Sequence, residues 1–276
     1  MKTAALPVRK WLGSMLAGAL LAGAAGLVPA VAAEADPIAE YRELFGEDNP
    51  AELWEQRGEA LWKEPRGPRN VALSGCDLGL GPGVTAGAYA QLPRWFADTK
   101  QVQDLESRLV TCMVTVQGMD RDTILRNRFG DGDRKSDLEA LAAYVVGQSR
   151  GHAVNVKLAR AEEREAYETG KAIFFYRAGP HDFSCASCHG EVGKRIRLQS
   201  LPGLLDKQGA QFAYTTWPGY RVSQGELRTL QWRLADCFRQ QRLPQLVHGS
   251  PAAVALTMFM AYSANGGLMD APNLKR

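Results

Sequence analysis

The stretch Ser184-Cys185-Ala186-Ser187-Cys188-His189-Gly190 puts two thiols and an imidazole within five residues. Thiols three residues apart, followed at once by histidine, have the spacing at which both sulfurs add to the vinyl groups of a haem while the imidazole ligates its iron. The chain has no second Cys-x-x-Cys and no His-x-x-x-His to complete a tetrahedral zinc shell. The expectation is one covalently bound haem c per chain, attached through Cys185 and Cys188, with His189 as proximal ligand. For the sixth iron position the sequence offers Met258, Met260, Met269, His248 and Cys237. A methionine there would suit an electron carrier, because His/Met ligation raises the potential.

Arg233 lies four residues before Cys237, and at that spacing two helical side chains share a face. A guanidinium beside a thiol favours the thiolate and presents a planar fork that grips an oxyanion. A surface salt bridge from Arg233 to Asp236 or Glu226 accounts for the same residue types, and spacing alone leaves both readings standing.

These residues need helices to hold them. Gly170 and Phe174, four apart on a predicted helix ending just before the haem motif, resemble the first helix of class I cytochromes c. The same segment occurs earlier in altered form. Starting at Gly58, GEALWKEPRGPRNVALSGCDLG lies on GKAIFFYRAGPHDFSCASCHG at a constant offset of 112, pairing Gly58 with Gly170, Trp62 with Phe174, Gly67-Pro68 with Gly179-Pro180 and Cys76 with Cys188. Leu73 then stands in place of the first haem cysteine, and Asp77 in place of the iron-ligating histidine. Two further blocks follow in the same order: Leu105-x-x-Arg108-Leu109-x-x-Cys112 matches Leu230-x-x-Arg233-Leu234-x-x-Cys237, and Ala140-Leu141, Tyr144 and Gly151 match Ala255-Leu256, Phe259 and Gly266. The pattern is a tandem duplication. It implies a mainly α protein of two cytochrome c-like domains, the first without haem.

Cysteine arithmetic agrees. With Cys185 and Cys188 committed to haem, Cys76 and Cys112 pair as a disulfide that staples the haem-free half, and Cys237 is left unpaired. Cys237 occupies the frame of Cys112, whose partner lies at the former attachment position, so its helix is expected to face the haem pocket. Met258 and Met260 sit on a helix matched by an apolar one in the haem-free half and read as core.

Lys2, Arg9 and Lys10, the apolar run Trp11 to Val28 and Ala30-Val31-Ala32 read as a secretory leader over 1–33. Its removal takes the basic count from 33 to 30, equal to the 30 acidic side chains, and leaves no polybasic run for nucleic acid and no membrane span in the mature chain. The remaining length of about 243 residues fits a haem-free domain over 34–152 and a haem domain over 153–276. Asp36-Pro37 and Asn49-Pro50 predict helices over 37–45 and 50–63. The Gly-rich segment Gly79 to Leu92 lacks the ending of a phosphate loop and reads as a wrapping loop, and the mixed charges from Asp120 to Asp137 read as a solvated loop.

Cys76-Asp77-Leu78-Gly79 with GPGVTAGAY, LPRWFADT, LESRLVTCMV, CASCHG and WRLADCFRQQR together resemble the SoxA family, the cytochrome c subunits of periplasmic thiosulfate-oxidising Sox complexes. With one CxxCH the sequence is similar to the single-haem members. The resemblance implies a second axial ligand at Cys237 carrying a persulfide, Arg233 as the sulfonate-binding residue, and L-cysteine S-thiosulfotransferase activity. It also implies the small cytochrome SoxX as partner, the carrier protein SoxYZ as acceptor of the thiosulfate group, a c-type electron acceptor and a periplasmic location. A plain electron carrier and a structural or sensing cytochrome subunit are the competing classes; the ligand on iron separates the first from the transferase.

Overall fold

The computed structural model describes residues 49–131, 133–196 and 199–275. The leader and the helix expected over 37–45 lie outside them. Helices dominate: α1 (Ala51–Lys63), α2 (Leu105–Thr115), α3 (Arg121–Arg126), α4 (Asp137–Gly147), α5 (Ala161–Phe175), α6 (Cys185–His189), α7 (Lys207–Thr215), α8 (Leu230–Gln240) and α9 (Pro251–Ser263). The strands are two or three residues each: β1 (Arg94–Phe96) pairs with β2 (Gln101–Gln103), and β3 (Arg195–Ile196) with β4 (Gln199–Ser200). β5 (Gly219–Arg221) lies between antiparallel β6 (Glu226–Arg228) and parallel β7 (Asn273–Lys275).

The duplication read in the sequence is physical. α1 packs on α4 in the front lobe as α5 packs on α9 in the back lobe. Gly58 and Gly170 make both crossings close, since a Cβ on either would overlap the carbonyl oxygen of Ala140 or Ala255 respectively. Mid-helix glycine costs about 0.5–1 kcal/mol against alanine, and here the close approach explains it. Beside each glycine an aromatic pair closes the crossing, Trp62 with Tyr144 at 6.2 Å and Phe174 with Phe259 at 5.1 Å between centroids. The turns after α1 and α5 repeat as well: Arg66 bridges Val71 as Ala178 bridges Phe183, with Gly67 and Gly179 both at positive φ. α2 and α8 are each eleven residues long and begin at the expected leucines.

Helix starts follow side-chain chemistry. Asp104, Ser136, Ser184, Thr229 and Ser250 each accept from a backbone N–H in the first turn of the helix they precede. The charged run from Asp120, expected to be a solvated loop, is in part helical: Asp120 caps α3, and Ile124 anchors it in the core. Residues 152–160, between the lobes, are extended and stitched to both: Asn155 N–H donates to Ala90 O, Val154 N–H to Gly267 O, and Val156 N–H to Asn265 Oδ1. Among the described residues no helix is long and apolar enough to cross a membrane.

Candidate functional site

Ser184 starts α6 by exchanging bonds with Ser187, and this single turn presents Cys185, Cys188 and His189. His189 Nδ1 lies 2.9 Å from Pro202 O. A carbonyl only accepts, so Nδ1 carries the proton and the lone pair sits on Nε2. Burial foremost pushes the imidazole pKa below its ordinary value, and the nearby Arg233 charge acts the same way against the Pro202 bond. The Pro202 bond leaves Nε2 as the donor atom, and a hydrogen bond at the other nitrogen is how a metal-ligating histidine is oriented.

α8 brings Cys237 within electrostatic reach of both haem-motif cysteines on α6. The Cys185 thiol is pushed up to about 12 by burial and then by its neighbours Cys237 and Cys188. Burial also raises Cys237, opposed by Arg233 and more weakly by Arg221, with Asp236 and Cys188 adding to the rise. All three cysteines are partly exposed free thiols. Cys76 and Cys112 are joined by a disulfide with Cα atoms 5.5 Å apart.

Arg233 meets Asp236 at 3.3 Å, so the salt bridge weighed from spacing exists, and to Asp236 rather than Glu226. It is the weakest claim on that carboxylate, which accepts from Arg239 Nη2 and Gln240 Nε2 at 2.6 Å each. Glu226 is held by Lys135 at 3.0 Å. The equivalent Arg108 is far more engaged, with Nε 2.7 Å from Asp77 O, Nη1 on both Asp98 oxygens and the guanidinium 4.0 Å over the Phe96 ring. Arg233 therefore keeps donors for something else.

Arg221 on β5 was not singled out from the sequence. Its guanidinium lies 5.5 Å from the Trp232 ring, its Nε is buried without a hydrogen-bond partner among the described residues, and burial followed by Arg233 lowers its pKa. Twelve residues and a hairpin separate it from Arg233, so no helical or strand spacing links them. Of the other candidate iron ligands, His248 meets Glu106 through Nε2 at 2.8 Å, and Met258, Met260 and Met269 are buried.

The donor set fits a c-type haem. α6 carries no fully buried residue, and Cys185, Ala186 and Phe238 form a partly exposed apolar edge of the core. The matching front-lobe segment is closed, with Leu73 and Cys76 both at 0 % exposure. Asp77, which replaces the histidine, turns its carboxylate to the loop and accepts from Gly79 N–H at 2.6 Å and Gly81 N–H at 2.9 Å.

Known proteins are similar to this chain in sequence and in fold. The SoxA subunit of L-cysteine S-thiosulfotransferase from Hydrogenophilus thermoluteolus is 48% identical over 245 residues, covering 89% of each chain. The chain belongs to the SoxA family. A second SoxA, from Hydrogenobacter thermophilus, is 34% identical over 93% of this chain and 97% of its own. The crystal structure of SoxXA from P. pantotrophus superposes with a TM-score of 0.71 at 26% identity, over 86% of this chain and 84% of that one. The SoxA/TsdA cytochrome c domain family matches residues 57–154, the front lobe without the haem motif. Haem c is the cofactor this family of cytochrome c domains implies.

Proposed function

We propose that this protein is the SoxA subunit of a periplasmic L-cysteine S-thiosulfotransferase, exported by a leader over 1–33 and working with SoxX. Residues 34–152 are its haem-free domain, and residues 153–276 would hold a single covalent haem through Cys185 and Cys188, with His189 and Cys237 as the residues that would ligate its iron. The observation that carries this reading is Cys237, an unpaired thiol within electrostatic reach of both haem-motif cysteines and sharing its helix face with a lightly engaged arginine.

The net reaction joins thiosulfate to a thiol of the carrier SoxYZ, forming an S–S bond and releasing one proton and two electrons. Haem c supplies the one-electron chemistry that passes these on to c-type acceptors. The Cys237 thiolate joins the sulfane sulfur of thiosulfate as Cys237–S–S–SO3−, the two electrons lost in that bond leaving through the haem that would be bound there. The deprotonated carrier thiol then attacks the sulfane sulfur, breaking its bond to Cys237 and taking the S–SO3− group while the Cys237 thiolate is released. Arg233 donates its planar fork to the sulfonate oxygens and fixes the group in line for the carrier thiol. Asp236 stays bonded to Arg239 and Gln240 and leaves Arg233 free to turn. Pro202 O keeps the proton of His189 on Nδ1.

Cys237→Ala in the SoxX complex tests this. The covalent haem and the fold should persist, the iron spectrum should change, and coupling of thiosulfate to SoxYZ should stop. Coupling at the wild-type rate would overturn the assignment and favour a plain electron carrier.

A further inference from the structure

The helix that carries Arg233 and Cys237 does not begin on its own lobe's resources alone. Thr229 caps α8 by accepting from Trp232 N–H at 3.2 Å, and its hydroxyl in turn donates to Glu106 Oε2 at 2.8 Å. Glu106 belongs to α2, on the haem-free lobe. Its other oxygen accepts from Gln231 N–H at 3.0 Å, inside the first turn of α8. That turn has no acidic residue of its own, so Glu106 supplies the carboxylate a helix N-terminus favours.

The arrangement is reciprocal. Gln231 Nε2 donates to Asp104 Oδ2 at 2.5 Å, and Asp104 is the cap of α2. In the duplication Asp104 corresponds to Thr229 and Glu106 to Gln231, so the second residue of each helix crosses over to the cap of the other. The segment leading to α9 closes the cluster: His248 Nε2 meets Glu106 Oε2 at 2.8 Å, and Gly249 N–H donates to Gln231 Oε1 at 2.7 Å. Asp104, Glu106, Thr229, Gln231 and His248 are all more than nine-tenths buried. Every buried polar side-chain atom of Asp104, Glu106, Thr229 and Gln231 has a partner, and His248 Nδ1 is the member without one among the described residues. In such a network losing one acceptor strands several donors together. The disulfide through Cys112 ties α2 to the front lobe, so the clamp rests on a fixed base.

We propose that Glu106 is a positioning residue for the reaction, by which the haem-free lobe clamps the start of α8 and so sets where Arg233 and Cys237 stand against the haem motif. The inference rests on Cys237 as iron ligand and sulfur acceptor. Arg233 and Cys237 lie one and two turns beyond Thr229 on a continuous helix, and a shift at the cap moves both. A displacement of 1 Å at reacting groups is enough for about a hundredfold loss of rate.

The test compares Glu106→Ala, Glu106→Gln and Leu141→Ala in the holo complex with SoxX. Leu141 is fully buried in α4 and serves as a control for lost stability alone. Ferric electron paramagnetic resonance reads the axial ligand, and thiosulfate-dependent modification of SoxYZ reads kcat and KM. Glu106→Ala should split the low-spin signal into more than one species and lower kcat tenfold or more with little change in KM. Glu106→Gln, which keeps one acceptor oxygen, should fall between Glu106→Ala and wild type, and it carries the test alone if the alanine variant does not fold. Leu141→Ala should melt lower yet keep the wild-type signal and kcat. Unchanged signal and kcat in Glu106→Gln, or an equal kcat loss in Leu141→Ala, would overturn the clamp. A wild-type signal without sulfur ligation, with turnover surviving in Cys237→Ala, would instead overturn the underlying assignment.

Discussion

Arg108 and Arg233 occupy the same position of a repeated helix, and replacing each by alanine should have opposite consequences. The Arg108 side chain is 5 % exposed, and its Nε bond to Asp77 O holds the loop after the disulfide cysteine. Losing a charged hydrogen bond of that kind costs about 1.5–3 kcal/mol, the stacking over Phe96 roughly another 1, and the ion pair to half-exposed Asp98 under about 1. A total of about 3–4 kcal/mol should lower the melting temperature of a protein this size by roughly 10 °C. Arg233 is 26 % exposed and its guanidinium makes one 3.3 Å ion pair among the described residues, while Asp236 retains two partners at 2.6 Å. Its removal should cost under about 1 kcal/mol of stability. In turnover the loss should be about 1.5–3 kcal/mol of transition-state binding, roughly 10- to 150-fold in kcat/KM. Arg233→Lys keeps charge without the fork and should recover part of it. Thermal melts and steady-state coupling of thiosulfate to SoxYZ read both quantities on the same samples. An Arg233→Ala protein that melts as low as Arg108→Ala while keeping wild-type turnover would refute the reasoning and leave Arg233 as a structural salt bridge.

The disulfide closes a separation of 36 residues, so Cys76→Ser with Cys112→Ser should cost on the order of 3–4 kcal/mol, read as the gap between the denaturation midpoints of the variant and the oxidised protein. Met258→Leu, in a fully buried packing position, should cost under about 1.5 kcal/mol and leave the Soret and charge-transfer bands in place; a change of axial ligand would assign that methionine to iron. Glu139 is raised to about 8, chiefly by burial, against the N–H of Gly130 and the charge of Arg228. Its folded pKa is above its unfolded one, so its contribution is complete below about pH 4.5 and is lost as pH rises through about 8, on the order of 3–5 kcal/mol over that window. Glu139→Gln should flatten the stability profile there, and a profile as steep as the parent's would place the titration elsewhere.

What the sequence made legible was whatever the duplication or a covalent motif wrote at fixed spacing. Gly58 and Gly170 could be aligned with each other, and so could Ala140 and Ala255, because each pair holds the same place in a repeated unit. That the first pair touches the second is then a consequence of helix packing. The haem motif and the disulfide were likewise local chemistry or simple pairing. The three-stranded sheet was not legible, because strands of three residues carry no alternation, and β7 pairs with a partner some fifty residues away. Arg221 sits on that sheet and escaped for the same reason. The clamp escaped for another. Glu106 and Gln231 are ordinary polar residues near helix starts, and only a contact across 125 positions gives them a shared role.

That contact bears on why a haem-free lobe is kept. In the front lobe Leu73 stands in the place of a haem thiol and Asp77 is the acceptor that folds the Gly-rich loop, so the framework is intact without the residues of the haem motif. A duplicated pair of domains meets through equivalent surfaces, and each can hold what the other needs placed. The front lobe, stiffened by its disulfide and by Arg108, needs nothing placed within itself. Of its buried carboxylates, Asp104 and Glu106 bond the first turn of the one helix whose position the chemistry depends on, and Glu139 holds Arg228 on β6, just before that helix.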